Sequence, residues 1–220
     1  RRGGRATVSA DAAGAPLFRR GWRARVGAAP LRESLAAGYD GEEPLLDPMC
    51  GSGTIAIEAA AIAARRPPGA GRRFAFEGWP GHDPGRTEAV RRRLAAGERP
   101  PPHPIHASDR NMGALRLAQK NAASAGLEAA VHFARADASA APAPEGPGLL
   151  AVNPPYGERL AEGAEEAWRA LGVLLDRLPG WRAAVIGPER GLAHHLARTP
   201  REVLAVANGG LRCRLLLLGG

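Results

Sequence analysis

Pro44-Leu45-Leu46-Asp47-Pro48-Met49-Cys50-Gly51-Ser52-Gly53-Thr54-Ile55-Ala56-Ile57-Glu58-Ala59-Ala60-Ala61-Ile62 is a short apolar strand, a glycine turn and an alanine-rich helix in succession. This βα unit is the usual cradle for nucleotide-like ligands. Glycines let backbone approach the ligand, and the helix start offers unpaired N–H groups. The dinucleotide fingerprint needs a third glycine three residues on, where this chain has Ile55 and Ala56, so a nicotinamide enzyme is disfavoured. No phosphate-binding lysine follows either. An acidic residue before a turn of small residues suits a ligand with a positive sulfonium and an amino-acid head, which describes S-adenosylmethionine.

A second motif specifies the acceptor. Leu149-Leu150-Ala151-Val152 is followed at once by Asn153-Pro154-Pro155-Tyr156. An amine conjugated to a heterocycle has a delocalised lone pair and is a poor nucleophile. The Asn153 side-chain carbonyl and the Pro154 backbone carbonyl can both accept from such an NH₂ group. Two prolines fix φ and so position those acceptors in advance. Tyr156 can stack on the ring that carries the amine. The plain alternative for Asn-Pro-Pro alone is a proline-rich turn after a strand.

Together the two motifs resemble the amino-methyltransferases, and their wording resembles one branch closely. That branch is the RNA guanosine N²-methyltransferases whose catalytic domain usually follows a THUMP RNA-binding domain. Asn153-Pro154-Pro155-Tyr156-Gly157-Glu158-Arg159-Leu160 carries this likeness, as do Arg19-Arg20-Gly21-Trp22-Arg23, Ala29-Pro30-Leu31-Arg32-Glu33 and Phe74-Ala75-Phe76-Glu77-Gly78-Trp79. Asp109-Arg110-Asn111, Asn208-Gly209 and Cys213-Arg214-Leu215 extend it to nearly the whole chain. The segment between Glu33 and the glycine motif is shorter than the family norm, and no THUMP-like region precedes it.

The resemblance implies a class I, Rossmann-like methyltransferase, and the pattern of elements agrees. Apolar runs at 45–46, 105–108, 130–134, 149–152, 182–186, 203–207 and 211–218 read as seven strands. Helical stretches intervene at Thr54–Ala64, Asn111–Ala125, Glu165–Leu178 and Arg190–Ala197, the second closed by Gly126. Alternation of this kind predicts an α/β, doubly wound, mostly parallel sheet. The last two runs, joined at Asn208-Gly209-Gly210, add a hairpin and one antiparallel C-terminal strand. Residues 5–26 suggest a hairpin-like lead-in and Pro30–Ala37 a short helix, so residues 1–40 are expected to be an extension packed on a catalytic domain spanning 41–220. Residues 65–104 interrupt the pattern with Pro67-Pro68, Arg91-Arg92-Arg93 and Pro100-Pro101-Pro102, and read as an insertion, helical around Thr87–Ala96.

In such a sheet ligands sit beyond the carboxyl ends of the strands. Asp47, Asp109, Asp137 and Asn153 each fall at such an end, which predicts one pocket rim. Asp109 is the acid expected on the ribose hydroxyls, with capping of the following helix as the alternative. By the resemblance Asp137, with Ala138, approaches the adenine amine; the alternative is a loop aspartate. Asp47 faces the methionine end, where it meets the ammonium or orders the turn. The cofactor contacts expected are thus Asp47, Pro48, Cys50, Gly51, Ser52, Gly53 and Thr54 from the first unit, then Asp109, Arg110, Asp137, Ala138 and Asn153. Asn153, Pro154, Pro155 and Tyr156 carry the chemistry. Glu158 reads as structural, Arg159 stays open, and Pro30 and Leu31 are candidates to close over the methionine group.

Composition fits this reading without proving it. The chain of 220 residues carries a formal net charge of +8, which suits a polyanion such as ribosomal or transfer RNA. Lys120 is its single lysine, so a compositional bias toward arginine is the competing explanation. Two cysteines are too few for a disulfide framework or a zinc site, and His194-His195 lack partners at metal spacing. No run of about 18 apolar residues or signal peptide occurs, so a cytoplasmic protein without membrane contact is expected, and a monomer. Because the chain opens with Arg1-Arg2, it reads as a fragment that lacks an N-terminal THUMP-like domain. The expected activity is methyl transfer to the N² amine of a guanosine in RNA. The rivals are an adenine-amine or protein-glutamine methyltransferase, a small-molecule methyltransferase, and a catalytically silent RNA-binding module.

Overall fold

Leu45 and Leu46 sit side by side in one strand yet pack into different clusters, one on each face of the sheet. Leu149 and Ala151 likewise pack with the first cluster while Leu150 and Val152 enter the second. Strand residues alternate between faces, and both faces here are apolar, so helices must cover both. The computed structural model describes residues 11–13, 39–155, 163–188, 191–196, 198–208 and 211–219.

In chain order the elements are β1 (Leu45–Asp47), α1 (Thr54–Ala63), α2 (Pro84–Ala95), β2 (Ile105–Asp109), α3 (Met112–Ala125) and β3 (His132–Arg135). They continue with β4 (Leu149–Val152), α4 (Ala164–Asp176), β5 (Arg182–Pro188), β6 (Glu202–Asn208) and β7 (Leu211–Leu218). The sheet has seven strands in the order β3-β2-β1-β4-β5-β7-β6. β3, β2, β1, β4 and β5 are parallel, and β7 runs antiparallel to both β5 and β6. The expected sheet, with its one antiparallel C-terminal strand, is therefore the one observed. The direction of winding reverses between β1 and β4, so their carboxyl ends open a crevice.

One face is covered by α1 and α3, through Ile57, Ala60, Leu115, Ala118 and Ala122. On the other face α4 brings Trp168, Leu171, Leu174 and Leu175, all with no exposed surface, against β4 and β5. The guanidinium of Arg198 fastens the far end of α4, donating to the carbonyls of Leu175 (2.7 Å), Leu178 (2.7 Å) and Trp181 (2.6 Å). A cation there satisfies carbonyls that a helix C-terminus leaves unpaired.

Several expectations shift. The helix expected at Arg190–Ala197 reduces, among the described residues, to a single 3₁₀ turn at Ala193–His195. Gly191 at φ +108° lies outside helical space, and Leu196 turns extended to bury itself against α4 and its neighbours. The third strand starts later than expected, because Glu128–Ala130 forms a 3₁₀ turn. Within residues 65–104 α2 begins earlier, at Pro84. Asp83 caps it, accepting from the Gly85 and Arg86 N–H groups, and proline at the first helical position suits that geometry. The N-terminal lead-in apart from residues 11–13, the Pro30–Ala37 helix and Tyr156, Glu158 and Arg159 lie outside the described residues. Among those described, no helix is long and apolar enough to cross a membrane.

Candidate active site

Beyond the carboxyl ends of β1, β2 and β4 lies a cleft of about 500 Å³, lined by Asp47, Asp109, Asp137 and Asn153 together. The four strand-end residues do share one rim. Pro48, Met49, Cys50, Gly51, Ser52 and Thr54 form one wall, and Arg110, Ala138, Pro154 and Pro155 also face it. Gly53 lies behind the wall. It takes φ +83°, and a Cβ there would stand 2.9 Å from that of Ala118 on α3. Gly51, at φ +53°, has open space where a side chain would be, so its backbone is accessible from the cleft.

Asp109 clamps this wall. Its Oδ2 accepts the Gly51 N–H (2.9 Å) and its Oδ1 accepts the Asn111 N–H (2.8 Å). The capping alternative fails in detail, because Asn111 itself caps α3, accepting from Gly113 and Ala114. Each Asp109 oxygen retains a lone pair. One carboxylate thus binds the glycine turn to the second strand and still faces the cleft.

Asp47 is buried, and its Oδ1 has no hydrogen-bond partner. Burial pushes its carboxyl well above the usual range; the Met49 N–H draws it back, and the charge of Asp109 adds to the rise. A folded value above the unfolded one means that the folded state holds the extra proton. Stability contributed in this way is complete below the unfolded value, near 3.8, and is lost as pH rises toward the folded value. Asp47→Asn should therefore stabilise the ligand-free chain at neutral pH and flatten its stability profile above pH 4. The same change should weaken any cationic ligand. Melting curves from pH 4 to 8, with and without S-adenosylmethionine, test both halves; a less stable ligand-free variant would contradict the first.

The Cys50 thiol is raised by burial, and by the charges of Asp47 and Asp109, so it stays protonated and packs as a small apolar group. Asp137 is held below the usual carboxylate range by the Ser139 hydroxyl (2.7 Å) and the Ser139 N–H, with a contribution from Arg110. Its role as a loop aspartate is real, since it caps the turn Ala138–Ala140, and it lines the cleft as well. Arg110 reaches Glu166 in the first turn of α4 at 3.5 Å and so spans the cleft margin.

After β4, Asn153 places a buried Oδ1 without a hydrogen-bond partner beside Pro154 and Pro155. Neither proline has an N–H, so carbonyls are the only backbone handles on this turn. The Pro155 carbonyl accepts the indole N–H of Trp168 (3.2 Å), a side chain with no exposed surface. Trp168→Phe removes that donor while keeping most of the packing. It should leave a carbonyl unpaired at about 1–3 kcal/mol and lower turnover roughly tenfold through misplacement of Asn153. Cofactor affinity should hold. Parallel calorimetry and turnover measurements would detect the split, and equal losses in both would refute it.

Sequence reasoning missed Trp168, as it missed Asn121, which is buried in α3 and donates to the Ser52 carbonyl (3.0 Å). Asn121 is a polar residue beside Ala118 and Ala122 on an inward helix face. That is the available signal, since a buried amide needs a partner. The rings of His194 and His195 lie tilted with centroids 3.9 Å apart, and His195 is 3.4 Å from Glu165. Among the described residues no group of three or more His, Cys, Asp or Glu side chains could hold a metal ion.

A seven-stranded sheet in this order, with a glycine turn and an Asn-Pro-Pro turn at its switch point, defines a Rossmann-like methyltransferase domain. The chain matches the family described as RMKL-like, methyltransferase domain, over residues 20–216, and belongs to it. It is 42% identical over 234 residues to the ribosomal RNA large subunit methyltransferase K/L of Syntrophotalea carbinolica, covering 96% of this chain and 32% of that protein. The protein of the same name from Chromohalobacter salexigens is 37% identical over 236 residues, 98% of this chain and 32% of its own length. The chain thus spans about a third of the length of these relatives. Among solved structures it superimposes on SMU.472, described as a methyltransferase and complexed with SAH, with a TM-score of 0.87 and 30% identity, covering 96% of this chain and 57% of that one. A Listeria monocytogenes protein described as an N6-adenine-specific DNA methylase gives a TM-score of 0.85 at 28% identity, over 96% of this chain and 57% of its own.

SMU.472 holds SAH, the product of S-adenosylmethionine, and the residues present here fit S-adenosylmethionine. An unpartnered buried Asp47 oxygen suits a cationic amino-acid head, and Gly51 leaves the backbone open to close approach. The Asp109 carboxylate suits a diol. The cleft volume lies within the range that small-molecule sites occupy.

Proposed function

We propose that this domain transfers a methyl group from S-adenosylmethionine to the exocyclic N² amine of a guanosine in RNA. The observation that carries the reading is the Asn153 Oδ1, buried at the cleft without a hydrogen bond, beside a turn of two prolines. An acceptor left unpaired in a protein interior is costly unless a ligand donates to it. The names of the relatives support ribosomal RNA as the substrate, and such a substrate supports the reading of a cytoplasmic enzyme.

The bound cofactor supplies a methyl group activated on a sulfonium. Asn153 Oδ1 accepts one amine hydrogen and the Pro154 carbonyl accepts the other, which holds the NH₂ group where its lone pair can leave conjugation and point along the transfer line. Tyr156 stacks on the base, which must first leave its helix, because a paired amine is out of reach. The amine turns acidic only as the new N–C bond forms and the sulfonium S–C bond breaks to leave a neutral thioether. Its proton can therefore pass to solvent after transfer, and no strong base is needed. Cys50, held protonated, takes no part as a nucleophile. Positioning and exclusion of water supply most of the acceleration.

Methyl transfer to total RNA, followed by mass spectrometry of the nucleosides, tests this. N²-methylguanosine is the expected product. The Listeria neighbour's name favours a second reading, an adenine amine, for which N⁶-methyladenosine would be the signature. The relatives extend well beyond the length matched here. A THUMP-like domain fused before this one should therefore sharpen site selection without altering cofactor affinity.

A further inference from the structure

Helix α2 buries none of its twelve residues. A helix without an apolar face against the core normally has another partner or a dense set of its own ion pairs. Only two positions, Thr87 and Arg91, are half-buried. The Thr87 hydroxyl meets His82 (2.8 Å), and Arg91 donates to the Arg72 carbonyl (3.0 Å) and to Glu77 (2.6 Å). These two define the inward line, four residues apart. Everything else on the helix points outward, including Arg86, Arg92 and Arg93, with Glu88 its only acid.

Positive charge is dense here, as it is in residues 1–40. Residues 65–104 hold nine arginines against four acidic residues, a net charge of +5 in forty positions. Residues 41–64 and 105–220 together carry a net charge of −2, so within 41–220 the positive excess lies in this segment. Arg86 is shared with exposed Asp83 at 3.4 Å, whereas Arg92 and Arg93 make no ion pair among the described residues. Val90 and Leu94, 47% and 50% exposed, lie on the same outer surface, and Trp79, 43% exposed, precedes the helix. Cationic groups interleaved with apolar and aromatic ones suit a nucleic-acid backbone with accessible sugars and bases.

We propose that the outer face of α2 is a phosphate-contacting surface for RNA, separate from the pocket that takes the reacting base. The idea rests on the RNA reading above and deepens it. The insertion returns to the far end of α1, where the Arg99 N–H donates to the Ala64 carbonyl (3.0 Å). A ten-residue helix spans about 15 Å, so the insertion is rooted roughly that far from the glycine turn. Contacts at such a distance hold the RNA while one nucleotide is extruded, and they read backbone rather than sequence.

The test compares Arg92→Gln/Arg93→Gln with a control of equal charge, Arg212→Gln/Arg214→Gln, whose arginines are exposed on β7. Dissociation constants for a fluorescent hairpin RNA are measured across a salt series, with S-adenosylmethionine affinity as the check on folding. Loss of two phosphate contacts should flatten the slope of log K against log salt by about 1.4–1.8 in the α2 variant, and by much less in the control. An unchanged slope, as expected if a protein domain covers α2, would overturn the proposal. An equal change in both variants would overturn it too, since it would mean diffuse charge alone. Binding is read independently of methyl transfer. A wild-type chain that methylates no RNA, yet shows the α2-specific slope change, would sink the functional reading and leave this surface standing.

Discussion

Asn153→Ala is expected to lower turnover on RNA by about a hundredfold or more while leaving S-adenosylmethionine affinity within a few-fold. The asymmetry follows from the unpaired state of the Oδ1. In the ligand-free chain it makes no hydrogen bond, so its removal costs little structure. On the proposed function its contact forms to the reacting amine and strengthens as the lone pair leaves conjugation, which is an interaction of the transition state. Asn153→Asp separates position from charge, since it keeps an acceptor of the same shape. Single-turnover rates on RNA with matched calorimetry of the cofactor would decide. Near-normal turnover in the alanine variant would remove Asn153 from the chemistry.

Asp109→Ala should have the opposite signature, a loss of cofactor affinity of at least about a hundredfold. Hydrogen bonds to a charged acceptor contribute about 1.5–3 kcal/mol each, and two ribose hydroxyls are at stake. The variant also frees the Gly51 N–H and with it the glycine turn, so part of the loss would come from disorder of the wall rather than from missing contacts. Asp109→Asn distinguishes the two. Its single carbonyl oxygen can still hold the turn but cannot accept from both hydroxyls. An asparagine variant that binds as weakly as the alanine one points to the diol, and one that recovers fully points to the turn. Unchanged affinity in Asp109→Ala would reduce the carboxylate to a loop clamp.

Elements set by local periodicity could be read before any coordinates. Leu149–Val152 is a short apolar run closed by Asn-Pro-Pro, and α3 is bounded by Asn111 and by Gly126 at φ +65°; both carry their own stop signals. The four strand-end residues of the rim were legible for the same reason. What escaped depends on contacts between distant segments. Leu192 and Leu196 are spaced as on a helix, yet Gly191 leaves helical space and Leu196 finds its burial in another conformation. Asp109 offered two roles by sequence, and it holds Gly51, fifty-eight residues away, while Asn111 caps the helix. The bond from Trp168 to Pro155 joins a helix to a turn across thirteen residues, and no periodicity encodes it.

Gly187 has no room for a side chain, since a Cβ there would stand 2.5 Å from the Trp168 ring. Strand β5, the indole and the Pro155 carbonyl are therefore one mechanical chain, and a substitution at 187 should behave as an active-site lesion without touching the cleft. Gly187→Ala and Trp168→Phe ought to be strongly non-additive, because either one alone already releases the turn. The position of the Asn-Pro-Pro turn is thus inherited from the packing of the sheet's interior, and on the proposed function a change in the core of this domain is felt in catalysis as well as in folding.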